Sequence, residues 1–239
     1  MNTAIVMGVG PDRGLGAQLC KRFAGFDKHV FACGRTQTKL DAVVADIIAT
    51  GGQATAVVAD ATNEADVVAL FDRAAALGDI DAALYNAGNN TPGNILDMEA
   101  DYFRQSWEIC CFGGFLFGRE AVRRMQNKGG TIVFTGASAS LRGRPGFGAF
   151  NSSKAALRTL AQAMAKEYGK DGIHVGHVVI DGAIFGEKIR THYPEYAEKL
   201  GEQGMINIEG IVDAFEYLYQ QPKTAWSFEV DVRTAVENW

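Results

Sequence analysis

The sequence has little of what a metal-binding or disulfide-stabilised protein needs. Its four cysteines, Cys20, Cys33, Cys110 and Cys111, form no CxxC pair and no zinc-finger spacing. Its four histidines form no HExxH motif. We therefore expect no metal site and no disulfide framework, and a reducing cytoplasm is the expected location.

Long apolar runs and clustered positive charge are also missing. No segment approaches the roughly 18 consecutive apolar residues of a membrane-spanning helix. The chain begins with a strand-like segment rather than a basic region followed by a long apolar stretch, so no secretory signal is expected. Acidic residues outnumber basic ones 28 to 23, for a net charge of −5, and the basic residues are scattered. Neither a nucleic acid nor a membrane is therefore an expected partner.

What the sequence contains instead is a regular alternation of short apolar runs and longer helical patterns. With 239 residues, 47% of them hydrophobic and 21% charged, it has the composition of a globular protein with a core. The predicted strands are Ala4–Val9, His29–Cys33, Ala54–Ala59, Ala82–Tyr85, Thr131–Thr135, His174–Ile180 and Ser227–Val232. The predicted helices begin near Gly14, Thr38, Asn63, Glu99, Phe147 and Asn207. This alternation predicts a Rossmann-type three-layer α/β fold with a mostly parallel sheet of about seven strands.

A glycine-rich turn follows the first predicted strand. Residues 10–16 read GPDRGLG, and a helical pattern comes next. Gly10, Gly14 and Gly16 suit a tight turn, a close approach of a pyrophosphate, and a helix N-terminus with unpaired N–H groups. Gly8 forms a GxG with Gly10, but the set from Gly10 to Gly16 is better placed. The turn predicts a dinucleotide site, although a βα turn also needs glycines for backbone reasons alone.

The residue after the second strand indicates which dinucleotide. An acidic residue there binds the ribose 2′-hydroxyl of NAD, whereas an arginine accommodates the 2′-phosphate of NADP. The strand ends in Arg35, and Arg13 lies in the glycine turn where it can meet the same phosphate. The alternative is that both are ordinary exposed arginines. The pattern favours NADP(H), with NAD(H) as the less favoured cofactor.

With these motifs, the whole chain resembles the short-chain dehydrogenase/reductase family. That resemblance implies an adenine contact from Asp60, after the third strand, and a sheet-stabilising role for Asn86-Ala87-Gly88, which matches the family's NAG motif. Asp60 could otherwise cap the next helix, and Asn86-Ala87-Gly88 could be a simple turn. The expected cofactor-binding residues are Gly10, Arg13, Gly14, Leu15, Gly16, Arg35, Asp60, Ala61, Asn86, Ala87, Gly88, Lys154 and Gly182.

We assign residues 1–239 to one dinucleotide-binding domain, because the chain has no internal repeat, low-complexity tract or linker. The stretch from about 186 to 205 is rich in Tyr, Glu and Gly and is interpreted as a substrate-loop insertion over the carboxyl edge of the sheet.

The catalytic positions that the resemblance implies do not match. The family's Tyr-x-x-x-Lys pair reads Phe150-x-x-x-Lys154, its serine position is Ala137, and its helix asparagine aligns with Cys110. Its Pro-Gly after the sixth strand is Asp181-Gly182. Lys154 keeps the expected role of holding the nicotinamide ribose, with a solvated helix lysine as the alternative. Because phenylalanine transfers no proton, a positioned acid worth about 10²–10⁴ in rate is missing.

Two functions from different classes remain open. The first is an NADP(H)-dependent oxidoreductase that acts by hydride transfer on an unknown carbonyl or alcohol with an atypical proton donor. Candidate donors are Ser138, a water held by Lys154, and three residues of the insertion, His192, Tyr193 and Tyr196. The second is a catalytically silent NADP(H)-binding protein, a sensor or partner subunit.

Phe147, Phe150, Cys110 and Phe115 hint at an apolar substrate pocket, although ordinary packing would explain them equally. The resemblance also implies a homodimer or homotetramer paired along the long predicted helix from Glu99 to Gln126.

Overall fold

The structure is a computed structural model that describes residues 1–237, apart from the side chain of Lys188. Its strands are β1 (Asn2–Met7), β2 (His29–Gly34), β3 (Gln53–Val58), β4 (Asp79–Tyr85), β5 (Gly130–Thr135), β6 (Ile173–Asp181), β7 (Ala183–Ile184), β8 (Met205–Ile206) and β9 (Glu229–Arg233). Seven of them form one sheet in the order β3-β2-β1-β4-β5-β6-β9, and each pair of neighbours is parallel. The predicted Rossmann-type fold is confirmed.

Helices cover both faces of the sheet. They are α1 (Leu15–Ala24), α2 (Gln37–Ala49), α3 (Glu64–Leu77), α4 (Ala100–Trp107), α5 (Gly113–Met125), α6 (Gly148–Tyr168), α7 (Glu187–His192), α8 (Pro194–Leu200) and α9 (Ile208–Gln220). Side chains alternate along each strand, so Ile5 and Met7 of β1 pack under α3, α5 and α6. Ala4 and Val6 pack under α1, α2 and α9 on the opposite face. The sheet is thus buried on both sides, as its near-continuous apolar strands require.

The helix predicted from Glu99 to Gln126 is present from Ala100 to Met125, but it is not α-helical throughout. A π-helical turn at Glu108–Phe112 separates α4 from α5. The hydroxyl of Tyr85 donates to the carbonyl of Ile109 at 2.5 Å. Gly113 comes so close to Tyr85 that a Cβ there would lie 2.4 Å from the phenol oxygen. A π-helical turn contains one residue more than an α-helical turn, and here it is accompanied by buried contacts from Tyr85 of β4. Apolar periodicity along a helix does not reveal such an added residue.

The segment from 186 to 205 leaves the carboxyl end of β6 and contains α7, α8 and a short 3₁₀ turn at Glu202–Gly204. Its base is closed by β7 and β8, whose residues Ala183 and Ile184 pair with Met205 and Ile206. Gly186 lies beside the carbonyl of Arg13, since a Cβ on it would be 3.4 Å from that oxygen. The segment therefore begins next to the glycine turn of residues 10–16.

None of the helices within residues 1–237 is both long and apolar enough to span a lipid bilayer.

Candidate cofactor and active site

The carboxyl ends of four parallel strands open into one cleft, which we call the cofactor cleft. It is lined by Met7, Gly8, Val9, Gly34, Arg35, Ala59, Asp60, Ala61, Asn86, Ala87, Gly88 and Ile109. The structure thus brings together the predicted residues that follow β2, β3 and β4. Seven others lie outside this lining: Gly10, Arg13, Gly14, Leu15, Gly16, Lys154 and Gly182. The sequence reasoning missed the adjoining strand-end residues and Ile109, which no motif marks.

Two glycines at the end of β1 are required by the fold itself. Gly8 has a φ of +96°, and a Cβ on it would lie 2.5 Å from the nitrogen of Ala87. A Cβ on Gly16 would lie 2.6 Å from the carbonyl oxygen of Gly8. Steric contacts with the backbone therefore require a glycine at Gly8 as strictly as at Gly16, although the predicted cofactor motif began only at Gly10.

Gly10 differs from these two glycines. Among residues 1–237, no atom lies within 4 Å of the position that its Cβ would take, and its φ is not in the left-handed region. Neither the backbone nor a neighbouring side chain therefore explains a glycine there. Gly14 precedes α1 as its N-cap without any side-chain cap, so the first N–H groups of α1 remain available. Open space in front of a helix N-terminus fits the pyrophosphate of a dinucleotide.

Two exposed arginines flank this region. Arg35 lines the cofactor cleft at the tip of β2, and Arg13 lies in the glycine turn. In the described part of the chain, neither guanidinium forms a hydrogen bond or an ion pair with another residue. Eight of the thirteen arginines, by contrast, pair with carboxylates. Both side chains are therefore available to an anionic ligand.

Asp60 does not cap the helix that follows it, so that alternative is wrong. Asn63 is the N-cap of α3, and its side chain accepts from the N–H groups of Ala65 and Asp66. One carboxylate oxygen of Asp60 accepts from the N–H of Thr62 at 2.9 Å and from its hydroxyl at 2.8 Å. These bonds orient the carboxylate at the cleft wall, with the other oxygen left to accept from a ligand.

Asn86 joins three strands at the floor of the cleft. Its backbone N–H donates to the carbonyl of Met7 at 2.8 Å, and its side-chain amide donates to Gly8 at 3.1 Å. Its amide oxygen accepts from the hydroxyl of Thr135 at 3.1 Å. Asn86 therefore ties β1, β4 and β5 together, which agrees with the sheet-stabilising role that the family resemblance implies.

Lys154 lies beside Gly88 of the cofactor cleft. It is 4% exposed, and its ammonium donates to the carbonyl of Thr135 at 2.7 Å. A Cβ on Gly88 would be 3.4 Å from this ammonium and 3.4 Å from the sulfur of Cys110. Burial lowers the pKa of Lys154 from its ordinary value. The lysine is therefore buried at the cleft, and the alternative of a solvated helix lysine is wrong.

Two of the family's catalytic positions, Phe150 and Cys110, lie near this ammonium, and neither carries a phenol. The ring centroid of Phe150 is 5.9 Å from the Lys154 nitrogen, and Cys110 is fully buried. Ser138 begins a 3₁₀ turn, Ser138–Ser140, just after Ala137. Within residues 1–237, its hydroxyl forms no hydrogen bond, whereas Ser152 and Ser153 bond to carbonyls of their own helix. Ser138 is therefore the hydroxyl of this region that remains available.

Asn89 is a polar residue of this region that motif reasoning missed. Its amide oxygen accepts from the hydroxyl of Ser106 at 3.0 Å and lies 3.9 Å from the sulfur of Cys110. Its position directly after Asn86-Ala87-Gly88 is the signal that would have found it.

Other residues considered from the sequence are not among those that line the cofactor cleft. Phe115 is 38% exposed on α5, with the guanidinium of Arg119 over its ring, so it does not line a pocket. Tyr193 and Tyr196 are exposed on the segment from 186 to 205. Gly182 has a φ of +153° and packs against Ile206, where it turns the chain out of β6. Among the described residues, no group of three or more His, Cys, Asp or Glu side chains is arranged to hold a metal ion.

Comparison with known proteins agrees with this geometry. The short chain dehydrogenase family matches residues 2–184. The uncharacterized oxidoreductase YuxG of Bacillus subtilis is 35% identical over 181 residues, 74% of this chain and 26% of YuxG, so the chain spans about a quarter of that protein. The 7α-hydroxysteroid dehydrogenase of Escherichia coli K12 is 30% identical over 82% of this chain and 77% of its own.

A solved structure extends the likeness over almost the whole chain. A short-chain dehydrogenase from Rhodopseudomonas palustris is 38% identical, with a TM-score of 0.83, and the match covers 97% of this chain and 98% of that one. The glycine turn, the cofactor cleft and the buried lysine are thus set in a fold shared with these oxidoreductases. The chain belongs to the short-chain dehydrogenase/reductase family.

Proposed function

We propose that this protein is an NADP(H)-dependent oxidoreductase that acts by hydride transfer on a carbonyl or alcohol substrate. The observation that carries the proposal is one cleft with Arg35 on its β2 side and Gly88 on its β4 side, where the Lys154 ammonium lies close to Gly88. This arrangement matches what a nicotinamide dinucleotide needs along its length. Its relative, the 7α-hydroxysteroid dehydrogenase, is itself an oxidoreductase.

The residues divide the cofactor between them. The α1 N-terminus and the open space at Gly10 suit the pyrophosphate, and Asp60 suits the adenine. Arg13 and Arg35 suit a 2′-phosphate, because neither guanidinium has a carboxylate partner in the described chain and its planar donor set matches a phosphate. Lys154 gives one of its three donors to Thr135 and has the others for the nicotinamide ribose. When bound, the nicotinamide supplies or accepts the hydride.

The proton must come from a group other than residue 150. Phe150 carries no titratable atom, so we propose that the Ser138 hydroxyl and a water held by the Lys154 ammonium supply the substrate oxygen with its proton. A hydroxyl with a high pKa is a weak acid, so activated carbonyls should react best. Phe147 and Phe150, both half-buried, would give the substrate an apolar surface. The segment from 186 to 205 would close over it.

Two further features complete the proposal. All four cysteines are free thiols buried in the structure, which suits a reducing cytoplasm. Large aromatic side chains exposed on α4 and α5 suit pairing into a homo-oligomer.

The test is NADPH oxidation across a panel that includes activated dicarbonyls, together with Lys154→Met. This substitution keeps the length of the side chain but removes its donors, so we expect the dissociation constant for NADPH to rise at least tenfold. Lys166→Met, an exposed lysine of the same helix, is the matched control. If the wild type binds NADPH tightly but no compound of the panel causes NADPH oxidation, the alternative of a catalytically silent NADP(H)-binding protein replaces this proposal.

A further inference from the structure

A chain of buried polar contacts lies directly behind the turn that carries Ser138. His177 of β6 is fully buried. Its Nδ1 is 2.9 Å from a carboxylate oxygen of Glu229 on β9, and its Nε2 is 3.4 Å from the hydroxyl of Ser140. The guanidinium of Arg158 on α6 donates two hydrogen bonds to the same carboxylate, at 2.6 and 2.9 Å. Four elements are thus joined through one imidazole.

The partners determine the proton on each ring nitrogen. A carboxylate only accepts, so Nδ1 carries the hydrogen and donates it to Glu229. In a neutral ring Nε2 then has a lone pair, which accepts from the hydroxyl of Ser140. The oxygen of Ser140 in turn accepts from the backbone N–H of Ala137 at 3.2 Å. The chain of contacts therefore ends on the residue at the family's serine position.

The imidazole also shapes this turn by contact. A Cβ on Gly136 would lie 2.2 Å from Nε2 and 2.3 Å from the neighbouring ring carbon. The ring thus packs closely against the backbone of Gly136, between Thr135, whose carbonyl accepts from Lys154, and Ala137. Any movement of the ring would shift both the Lys154 acceptor and the start of the Ser138–Ser140 turn.

We propose that His177 is a positioning residue: oriented by Glu229, whose carboxylate Arg158 holds in place, it fixes through Ser140 the turn that presents the Ser138 hydroxyl and the Lys154 ammonium to the substrate. The inference rests on the proposed oxidoreductase function and names a part of its site that no cofactor motif includes. His177 touches neither the cofactor cleft nor Lys154 in the described contacts, so it acts through the turn.

Protonation of His177 would undo this arrangement. An imidazolium has no lone pair on Nε2, so it cannot accept from Ser140. The charged groups that face the ring are Glu229 of β9 and Lys154 and Arg158 of α6. Burial lowers the pKa of His177, the two cations lower it further, and Glu229 opposes them. The arrangement should therefore persist to a pH below the ordinary histidine value and fail under more acidic conditions.

Kinetics of three variants provide the first test, with the most reactive carbonyl of the panel as substrate. His177→Phe removes both hydrogen bonds, and we expect kcat to fall roughly 10- to 100-fold with the NADPH dissociation constant within twofold of the wild type. His177→Gln keeps an acceptor for Ser140 but does not titrate, so it should restore much of kcat and lose the acidic limb of the wild-type pH profile. His174→Gln is the matched control, because His174 is also buried on β6 but bonds to Ser227 and stacks on Trp226.

Nuclear magnetic resonance tests the same inference without turnover, so that failure of the proposed function is distinguishable. We expect the ring of His177 to show a neutral form protonated at Nδ1, and the amide signals of Ala137 and Ser138 to shift with the titration of that ring. The inference is overturned if the amide signals of Ala137 and Ser138 do not shift as the ring of His177 titrates. It is also overturned if His177→Gln and His177→Phe are both folded and keep the kcat and the pH profile of the wild type.

Discussion

At position 150 the ring of a phenylalanine lies half-buried, one helical turn before Lys154. The ammonium is 5.9 Å from the ring centroid and hydrogen-bonded to the carbonyl of Thr135. A cation at that distance from an aromatic face is weakly attracted, so Phe150 helps Lys154 to tolerate burial but exchanges no proton. The rate of reduction at this site therefore depends on which other residue donates a proton to the substrate.

Phe150→Tyr should raise the rate of carbonyl reduction. The substitution adds only a hydroxyl to the ring beside Lys154, and one positioned proton donor is worth about a hundredfold or more in kcat. Steady-state NADPH oxidation measures the change, with Phe147→Tyr as control. A gain below about tenfold would instead implicate Ala137 and Cys110, and Ala137→Ser in the same background should then raise the rate again.

Arg35→Asp should reverse the cofactor preference. Arg35 has no carboxylate partner in the described chain, so a 2′-phosphate would be its main ionic contact, whereas an aspartate would repel that phosphate and accept from a 2′-hydroxyl. Titration calorimetry should find tighter binding of NADP(H) by the wild type and of NAD(H) by the variant. Arg73→Asp, an exposed arginine on α3, should leave the preference unchanged. Equal wild-type affinities for the two cofactors would contradict the prediction.

At the scale of elements, the turn from β1 to α1 combines two kinds of glycine. Gly8 and Gly16 are packed against backbone atoms, so they serve the crossing of strand and helix. Gly10 has open space in front of it, so its small size serves a ligand. The motif alone does not separate these two roles, because both produce the same letter in the sequence.

Gly10→Ala should therefore weaken cofactor binding without loss of stability, whereas Gly16→Ala should destabilise the fold. The Cβ of Gly10→Ala meets no protein atom, so the melting temperature should change little while NADPH binding weakens about tenfold or more. The Cβ of Gly16→Ala would lie 2.6 Å from a backbone oxygen, so the variant should lose stability by roughly 1–3 kcal/mol. Thermal unfolding with and without NADPH measures both effects. A stable Gly16→Ala together with an unstable Gly10→Ala would invalidate the distinction.

At the scale of the whole molecule, the sequence predicts the sheet and its helices better than it predicts the contacts between them. Strand and helix patterns predict the sheet well, because burial on both faces leaves apolar runs that periodicity detects. The π-helical turn at Glu108–Phe112 and the network around His177 were not predicted, since both depend on contacts between residues distant in sequence, such as Tyr85 with Ile109. Residues at strand ends were predicted where a motif includes them. No motif marks Ile109, whereas Asn89 was missed although it directly follows Asn86-Ala87-Gly88.

The last prediction concerns the outer face of α4 and α5. Phe103, Trp107 and Phe115 are 44%, 41% and 38% exposed. Trp107 stacks on Phe112, whose ring lies 6.2 Å from that of Phe115, so these side chains form an aromatic row on the surface. A row of this size exposed to water favours association, and a twofold axis would bury it against the same row of a second copy.

Light scattering after size-exclusion chromatography should therefore show a homodimer or homotetramer, and Trp107→Glu should shift it towards the monomer, because a carboxylate in an apolar interface is costly to desolvate. Tyr217→Glu is the matched control, since Tyr217 is 54% exposed on α9, on the opposite side of the sheet. A change of mass with Tyr217→Glu but not with Trp107→Glu would assign the interface to α9. A monomeric wild type at micromolar concentration would mean that the aromatic row serves another contact.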